Sequence, residues 1–205
     1  MPFVLILALI GGEEDRYPKG GPVVAIRVHR PGKVTKAWVY SLGDGLVLTS
    51  RVAIAGARKV EVEDCPATLV RADRVRDLAL LKVELGEHRR GLLADRPPRA
   101  GDRVNLPGGW PHGDGVGTVE PPLFAPRPGE PRGTAPVRVF DFQPRNVRDV
   151  PPGMAVLDEA GNLAGLVAGS QPNAIDIYRS RHVRFVCVTE IRAFLTEAGH
   201  VPAPR

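Results

Sequence analysis

Residues 43–57 read GDGLVLTSRVAIAGA, and residues 76–84 read RDLALLKVE. The first stretch opens with a GDG turn, in which glycine can adopt a positive φ, and continues into the apolar run LVL. Such a continuous run is typical of a strand that is buried on both faces. A helical turn is expected at residues 53–57. The second stretch predicts another buried strand, which begins with the acid Asp77.

The sequence around these stretches predicts more strands. In PVVAIRVH, residues 22–29, the apolar positions Val24, Ile26 and Val28 alternate with polar ones, as in a half-buried strand. Similar runs occupy residues 36–41, 59–64 and 67–73. Six short strands with short connections are typical of an antiparallel barrel or sandwich. The many glycines (23) and prolines (21) also favour short strands joined by turns.

The second half of the chain repeats this pattern after a break. Residues 86–102 are charged and rich in Pro and Gly, which predicts a linker between two β-rich halves. Strand-like runs resume at residue 103 and continue to Val188. A helix is then expected at residues 189–199, with Thr189 as its N-cap and Gly199 at its end. Its apolar face consists of Ile191, Phe194, Leu195 and Ala198.

The two ends of the chain are harder to interpret. Residues 1–21 combine the eight apolar positions 3–10 with a polar lead, and residues 200–205 form a short tail. The apolar run is far short of the ~20 residues that span a bilayer. It has the length of the apolar part of a signal peptide, without a basic segment before it or a clear cleavage site. Export and a cytoplasmic location both stay open, and the alternative to a signal peptide is an apolar strand packed on the domain.

The charge and the cysteines exclude little. The net charge of +5 is compatible with an anionic partner, such as nucleic acid or an envelope surface, or with solvated Arg-rich loops. Aromatic interleaving and nucleic-acid motifs are missing, which disfavours nucleic acid. No metal site or cofactor is expected, because His, Cys and carboxylates do not cluster at ligand spacing. Cys65 and Cys187 are expected to be buried free thiols.

The chain resembles the chymotrypsin-like serine peptidases, and specifically their HtrA-type branch. The family carries its catalytic His in a run similar to residues 43–57 and its catalytic Asp in a run similar to DLALLKV, residues 77–83. Residues 150–169, VPPGMAVLDEAGNLAGLVAG, are similar to the family's segment around the catalytic Ser. The resemblance covers about residues 22–199 and implies an all-β fold of two antiparallel six-stranded β-barrels with a C-terminal α-helix. The first barrel would span residues 22–85 and the second 103–199. No PDZ domain is expected to follow.

The departures from the family motif decide the expected function. When the chain is aligned with the family on this resemblance, Asp77 stands at the position of the catalytic Asp. Val52 stands at the position of the catalytic His and Pro152 at that of the catalytic Ser. A Ser-His-Asp triad needs a hydroxyl nucleophile and an imidazole base, and neither Pro nor Val supplies one. Pro also has no backbone N–H for an oxyanion hole. Asp77 is therefore expected to be structural, accepting backbone N–H bonds in the preceding loop.

Three functions remain possible on this basis. The first is a catalytically inactive peptidase domain that binds a peptide or protein, with an extended peptide added along Val167, Ala168 and Gly169. The second is an active peptidase with relocated groups, for which Ser50 and Ser170 are the candidate hydroxyls. The third is a basic nucleic-acid or envelope-surface binder. The histidines, which are expected in loops or at strand ends, are His29, His88, His112, His182 and His200.

Overall fold

The computed structural model describes residues 21–84, 90–107, 115–119, 134–139, 151–169 and 182–200. Within these ranges the chain forms two antiparallel β-barrels of six strands each and a C-terminal helix, which is the predicted fold class. The apolar run at residues 3–10, the tail after residue 200, His88, His112 and Ser170 lie outside the described ranges. No helix within them is long and apolar enough to cross a membrane.

The first barrel has the strand order β1-β2-β3-β6-β5-β4, and β4 pairs with β1 to close it. Its strands are β1 (Val23–Arg30), β2 (Lys33–Gly43), β3 (Leu46–Ser50), β4 (Lys59–Val62), β5 (Cys65–Asp73) and β6 (Leu78–Val83). A short helix, α1 (Arg51–Ile54), follows β3. The prediction of this turn at residues 53–57 was two residues late, because the Ser50 side chain caps the helix by accepting from the Val52 N–H at 3.2 Å.

The second barrel has the order β10-β11-β12-β9-β8-β7. Its strands are β7 (Arg103–Leu106), β8 (Gly115–Val119), β9 (Thr134–Val139), β10 (Ala155–Leu157), β11 (Leu163–Val167) and β12 (His182–Cys187). Closure between β10 and β7 rests on a single residue pair, Leu157 with Asn105. The helix α2 (Val188–Glu197) follows β12 directly.

Burial explains why some strands are apolar on both faces. In the first barrel Ile26, Val39 and Val47 belong to a cluster inside the barrel. The alternate residues Tyr40 and Leu48 belong to another cluster, which they share with residues of the second barrel. The continuous run at residues 46–48 therefore serves two cores, one on each side of β3, as a strand buried on both faces does.

The helix α2 has the predicted apolar face, since Ile191, Phe194 and Leu195 are fully buried. Its start differs from the prediction. Cys187 occupies the N-cap position and makes no side-chain cap bond, so Thr189 is not the N-cap. The helix continues directly from β12, and the backbone enters it before Thr189 is reached. Gly199, at φ +78°, ends the helix as predicted.

The segment after residue 89 is fixed to both barrels. The buried Tyr40 hydroxyl donates to the Leu92 carbonyl at 2.9 Å, and burial raises the pKa of Tyr40. The N–H of Leu163, in the second barrel, donates to the same carbonyl at 2.8 Å. Leu92 thus connects β2 with β11. Cys65 and Cys187 are free thiols and half-buried rather than buried, and burial raises the pKa of Cys187 to about 11.

Candidate functional site

The candidate site centres on the carboxylate of Asp77, which is 3% exposed. The Ser50 hydroxyl donates to Oδ2 at 2.7 Å, the Val52 N–H donates to Oδ1 at 2.9 Å, and the Gly169 N–H donates to Oδ2 at 2.6 Å. Two of these donors belong to the first barrel and the third belongs to the second. The carboxylate therefore accepts hydrogen bonds from both barrels where they meet.

The backbone of Asp77 is part of the same arrangement. Asp77 has φ +56°, a left-handed conformation that is uncommon for residues other than glycine, although Asp adopts it more readily than most. Its carbonyl accepts from the Arg51 N–H at 3.1 Å. The prediction that Asp77 binds N–H groups of the preceding loop was wrong. Asp73 does so instead, accepting from the N–H groups of Val75 at 2.7 Å and Arg76 at 3.0 Å.

Val52 presents hydrocarbon where it faces the second barrel. A Cβ added at Gly169 would lie 2.3 Å from the Val52 Cβ and 2.6 Å from its Cγ1. Only glycine fits at position 169 against this side chain without a shift of one of the two. The Val52 side chain can neither accept nor donate a proton, so beside Asp77 it supplies packing and no acid–base chemistry.

Pro152 lies in a turn that packs on the first barrel. The next residue, Gly153, has φ +85°, and a Cβ added there would meet the Thr49 hydroxyl oxygen at 2.3 Å. The Gly153 N–H donates to the Val167 carbonyl at 2.8 Å. This close approach places the turn that contains Pro152 beside the end of β3, next to Ser50. Pro152 offers neither a hydroxyl nor a backbone N–H there.

The N–H groups of the predicted peptide-binding residues are already in use. Val167 donates to the Met154 carbonyl at 2.9 Å, Ala168 donates to the Arg184 carbonyl at 3.0 Å, and Gly169 donates to Asp77. Val167 also pairs with Phe185 of β12. An added peptide strand cannot receive hydrogen bonds from these three N–H groups unless bonds within the chain break first.

A cluster of charged side chains lies next to the site, and we call it the Arg76 cluster. Arg76 contacts Asp73 at 2.7 Å, and it reaches Glu190 at 2.9 Å and Glu197 at 2.8 Å on α2. Hydrogen bonds to Glu197 and Glu190 raise the pKa of Arg76, although its partial burial opposes this. Arg71 also donates to the Glu197 carbonyl at 2.6 Å. The cluster joins the β5–β6 turn of the first barrel to α2.

Asp73 is held ionised within this cluster. Burial works against its charge, but hydrogen bonds from Arg76 and from the Val75 N–H outweigh burial and lower the pKa of Asp73. Because the carboxylate is negative and the guanidinium of Arg76 is positive, the turn carries a charge pair that faces α2.

The described histidines lie in other places. His29 Nε2 is 2.6 Å from Glu61 Oε2 on the outside of the first barrel. His200 follows α2, and its N–H donates to the Leu195 carbonyl at 2.9 Å. The backbone of His182 begins β12. Within the described ranges, no group of three or more His, Cys, Asp and Glu side chains could hold a metal ion.

Comparison with known proteins identifies the fold. No protein-family model matches the chain, and no curated protein does. The structure is similar to the Rv3671c protease from M. tuberculosis in its active form, with a TM-score of 0.68 and 23% identity over 89% of this chain and 83% of that one. It is also similar to the serine endoprotease from Yersinia pestis, with a TM-score of 0.66 and 17% identity over 87% of this chain and 63% of that one. These similarities establish a chymotrypsin-like serine protease fold.

Three contributors to the site did not stand out in the sequence. Ser50 was considered only as a nucleophile, yet its hydroxyl donates to Asp77. Gly169 was expected to contact a peptide, yet its N–H donates a hydrogen bond to the Asp77 carboxylate. Arg76 resembled one of many surface arginines. The partners of Arg76 on α2 are 114 and 121 residues away in sequence, so no local pattern indicates them.

Proposed function

We propose that this protein is a catalytically inactive relative of the HtrA-type serine peptidases and acts as a protein-binding scaffold. The observation that carries the proposal is the surroundings of Asp77. Its carboxylate accepts from Ser50, Val52 and Gly169, and the side chain beside it is the hydrocarbon of Val52. Within the part of the chain that the structure describes, the acid at this position therefore holds the two barrels together and orients no base.

In this proposal Val52, Asp77 and Pro152 are the vestigial His, Asp and Ser positions of the triad. Acyl transfer needs a nucleophile, a base to take its proton and donors for the oxyanion. Val52 and Pro152 together remove the base, the nucleophile and one backbone donor. Loss of both the nucleophile and the base is expected to leave no peptidase activity of this kind, since these groups act as a unit.

The HtrA-type assignment rests on the residues that frame these positions. Gly43 and Gly45 both have positive φ, at +85° and +70°, in the turn before β3. A Cβ on Gly45 would lie 2.3 Å from the Val83 carbonyl oxygen, so this turn also packs on the end of β6. The framework that presents a triad in active relatives is therefore retained in a chain that lacks the reactive groups.

The binding role is proposed for an extended segment of a protein partner at the end of β11. Because the N–H groups of Val167, Ala168 and Gly169 donate within the chain and the Val167 carbonyl accepts from Gly153, recognition there depends on side-chain contacts. This favours an extended segment of a larger unfolded protein chain, bound through its side chains, over a short peptide that simply adds a strand.

The experiment compares labelling, cleavage and binding in the full chain. We expect no labelling by a fluorophosphonate probe and no cleavage of fluorescein-labelled casein, together with saturable casein binding by fluorescence anisotropy. Labelling that disappears in Ser50→Ala or Ser170→Ala would establish an active peptidase with relocated groups and overturn the proposal. If neither cleavage nor binding is observed, the loss of peptidase activity would stand, but the proposed binding of an unfolded protein chain would be wrong.

A further inference from the structure

A cavity of about 630 Å³ lies where the linker between the barrels enters the second barrel. It is lined by linker residues before β7, by the start of β7 and by the turn between β10 and β11. Val104 and Ala164, each 1% exposed, contribute apolar atoms to its wall. Its volume is within the roughly 300–1,000 Å³ of typical ligand pockets. Ala164 is near the start of β11, whereas residues 167–169 lie at and beyond its end, so the cavity is separate from the proposed binding site.

Charged side chains make up much of the cavity wall. Four carboxylates and two guanidinium groups line it, which gives the wall a net charge of −2 in a chain whose net charge is +5. They belong to Asp95, Asp102, Asp158, Glu159, Arg96 and Arg103. Arg96 Nη1 donates to Asp102 Oδ2 at 2.6 Å, and this pairing lowers the pKa of Asp102. These two charges therefore neutralise each other, and the rest of the wall keeps the negative excess.

The carboxylate of Asp158 is fixed by the turn that it begins. Its Oδ1 accepts from the N–H groups of Ala160 at 3.0 Å and Asn162 at 2.8 Å. Among the described residues, its Oδ2 accepts one long bond, from Asn162 Nδ2 at 3.3 Å. A carboxylate oxygen has two lone pairs, so Oδ2 can accept from a further donor while the turn holds the group in place.

Asn162 provides a second fixed acceptor. It lines the cavity and is 7% exposed, so its side chain is held by its surroundings. Because the anionic Asp158 binds the NH₂ side of the amide, Asn162 Oδ1 is turned to the other side, and no donor in the described part of the chain binds it. Glu159 lines the same cavity, is exposed and makes no ion pair with another described residue. Three acceptors in one cavity thus have capacity for a donor-rich cation.

We propose that this cavity binds a guanidinium group, such as that of an arginine side chain. The acceptors are Asp158 Oδ2, Asn162 Oδ1 and the carboxylate of Glu159. A guanidinium has five N–H donors in one plane and can meet several acceptors at once, whereas an ammonium is a compact point charge. The apolar stem of an arginine can lie against Val104 and Ala164. This binding does not depend on whether the protein is catalytically active.

NMR titration of the ¹⁵N-labelled full chain tests the site with N-acetylarginine amide and its neutral isostere, N-acetylcitrulline amide. We expect saturable shifts of the N–H signals of Ala160, Gly161 and Asn162 with the arginine compound, and binding of the citrulline compound about tenfold weaker or less. The Nα-acetylated lysine amide should also bind more weakly than the arginine compound. An arginine flanked by two glycines on each side, in a capped peptide, distinguishes the source: tighter binding of the peptide indicates an arginine of a partner chain, and equal binding indicates a small guanidinium compound.

Three variants connect the binding to the cavity wall. Glu159→Gln removes an acceptor charge, and we expect it to weaken binding of the arginine compound about fivefold or more. Arg103→Gln removes a like charge from the wall and should tighten binding by about twofold or more. Glu84→Gln changes an exposed carboxylate just after β6, outside the cavity, and is the matched control, with unchanged affinity.

Several outcomes would overturn the proposal. One is the absence of shifts at these N–H groups with the arginine compound and the peptide, even at tens of millimolar. Another is equal affinity for the citrulline compound, which would mean that the cavity does not recognise the charge. Equal affinity for the lysine compound would replace guanidinium recognition by attraction of any cation. Equal effects of Glu159→Gln and Glu84→Gln, or weaker binding in Arg103→Gln, would place the binding elsewhere. The spectrum of each variant shows whether it remains folded.

Discussion

The backbone N–H of Gly169 in the second barrel donates to Oδ2 of Asp77 in the first barrel at 2.6 Å. The preceding residue, Arg76, reaches in the same direction and binds Glu190 and Glu197 of α2. Two consecutive residues just before β6 thus contact the second barrel, at Gly169, and the helix α2. In the proposed function, the position that holds the catalytic acid in serine peptidases serves attachment in this chain.

Replacement of Asp77 is expected to destabilise the chain. In Asp77→Asn, one of the N–H donors now at the carboxylate must face an amide NH₂ group, whichever way the amide turns. A buried unsatisfied donor costs about 1–3 kcal/mol, and the free energy of unfolding in urea should fall by this amount.

The matched control for this variant is Asp44→Asn. Asp44 has a similar φ of +53° but is exposed, and a change within about 0.5 kcal/mol is expected there. Equal stability of Asp77→Asn and the wild type would mean that the carboxylate does not hold the barrels together.

Gly169→Ala is expected to destabilise the chain through a clash with Val52. The added Cβ lies 2.3 Å from the Val52 Cβ, and forcing a methyl into a packed site costs about 1–3 kcal/mol. Val52→Gly removes the obstructing atoms, so the alanine should cost much less in that background. A double-mutant cycle of urea unfolding measures the coupling between the two positions. Additive effects would contradict the direct contact.

The fold was predictable because its determinants are local. The turn at Gly43 and Gly45, the run at residues 46–48 and the strand at residues 78–83 each have a pattern within a few residues. The run at residues 46–48 was expected to be buried on both faces, and Leu48 is buried in a cluster that it shares with residues of the second barrel.

The site was less predictable because its contacts join distant residues. The donor to Asp77 from the second barrel is 92 residues away in sequence, and the partners of Arg76 are farther still. The assignment of loop capping to Asp77 failed for a related reason. Asp73 and Asp77 both flank the turn, and only the three-dimensional path of β5 shows that Asp73 faces its N–H groups.

Acid should weaken the fold partly through Glu61, whose side chain is 10% exposed. Hydrogen bonds from Lys59 and then His29 lower the pKa of Glu61 from its ordinary 4.5 to about 2. Arg27 adds a further cation 3.3 Å away. Because the folded state keeps Glu61 ionised below the pKa of the unfolded chain, this stabilisation is complete above about pH 4.5 and is lost as the pH falls towards 2.

The measurement is the urea midpoint at several pH values between 6 and about 2.5 for the wild type and Glu61→Gln. Glutamine cannot ionise, so the midpoint of the variant should fall less steeply than that of the wild type below about pH 4.5. Parallel curves for the two proteins would show that Glu61 does not contribute to the acid sensitivity.

Loss of the Arg76 guanidinium should release α2 from the first barrel. Arg76 is only partly exposed and is bound by Asp73, Glu190 and Glu197, so Arg76→Ala leaves three carboxylates close together without their shared cation. We expect a loss of about 1–3 kcal/mol in the free energy of unfolding, larger than for an isolated surface pair because several charges form one network. Hydrogen exchange should rise in α2 more than in β3, since the helix loses its contact with the β5–β6 turn.

Arg74→Ala, two residues earlier in the same turn, is the control. Within the described ranges Arg74 is exposed and outside the Arg76 cluster, so its removal should change the free energy of unfolding by less than about 0.5 kcal/mol. High salt separates the electrostatic part of the effect: screening should reduce the difference between Arg76→Ala and the wild type, because the cluster is partly exposed. If Arg76→Ala and Arg74→Ala are equally stable and exchange equally in α2, the cluster does not hold the helix.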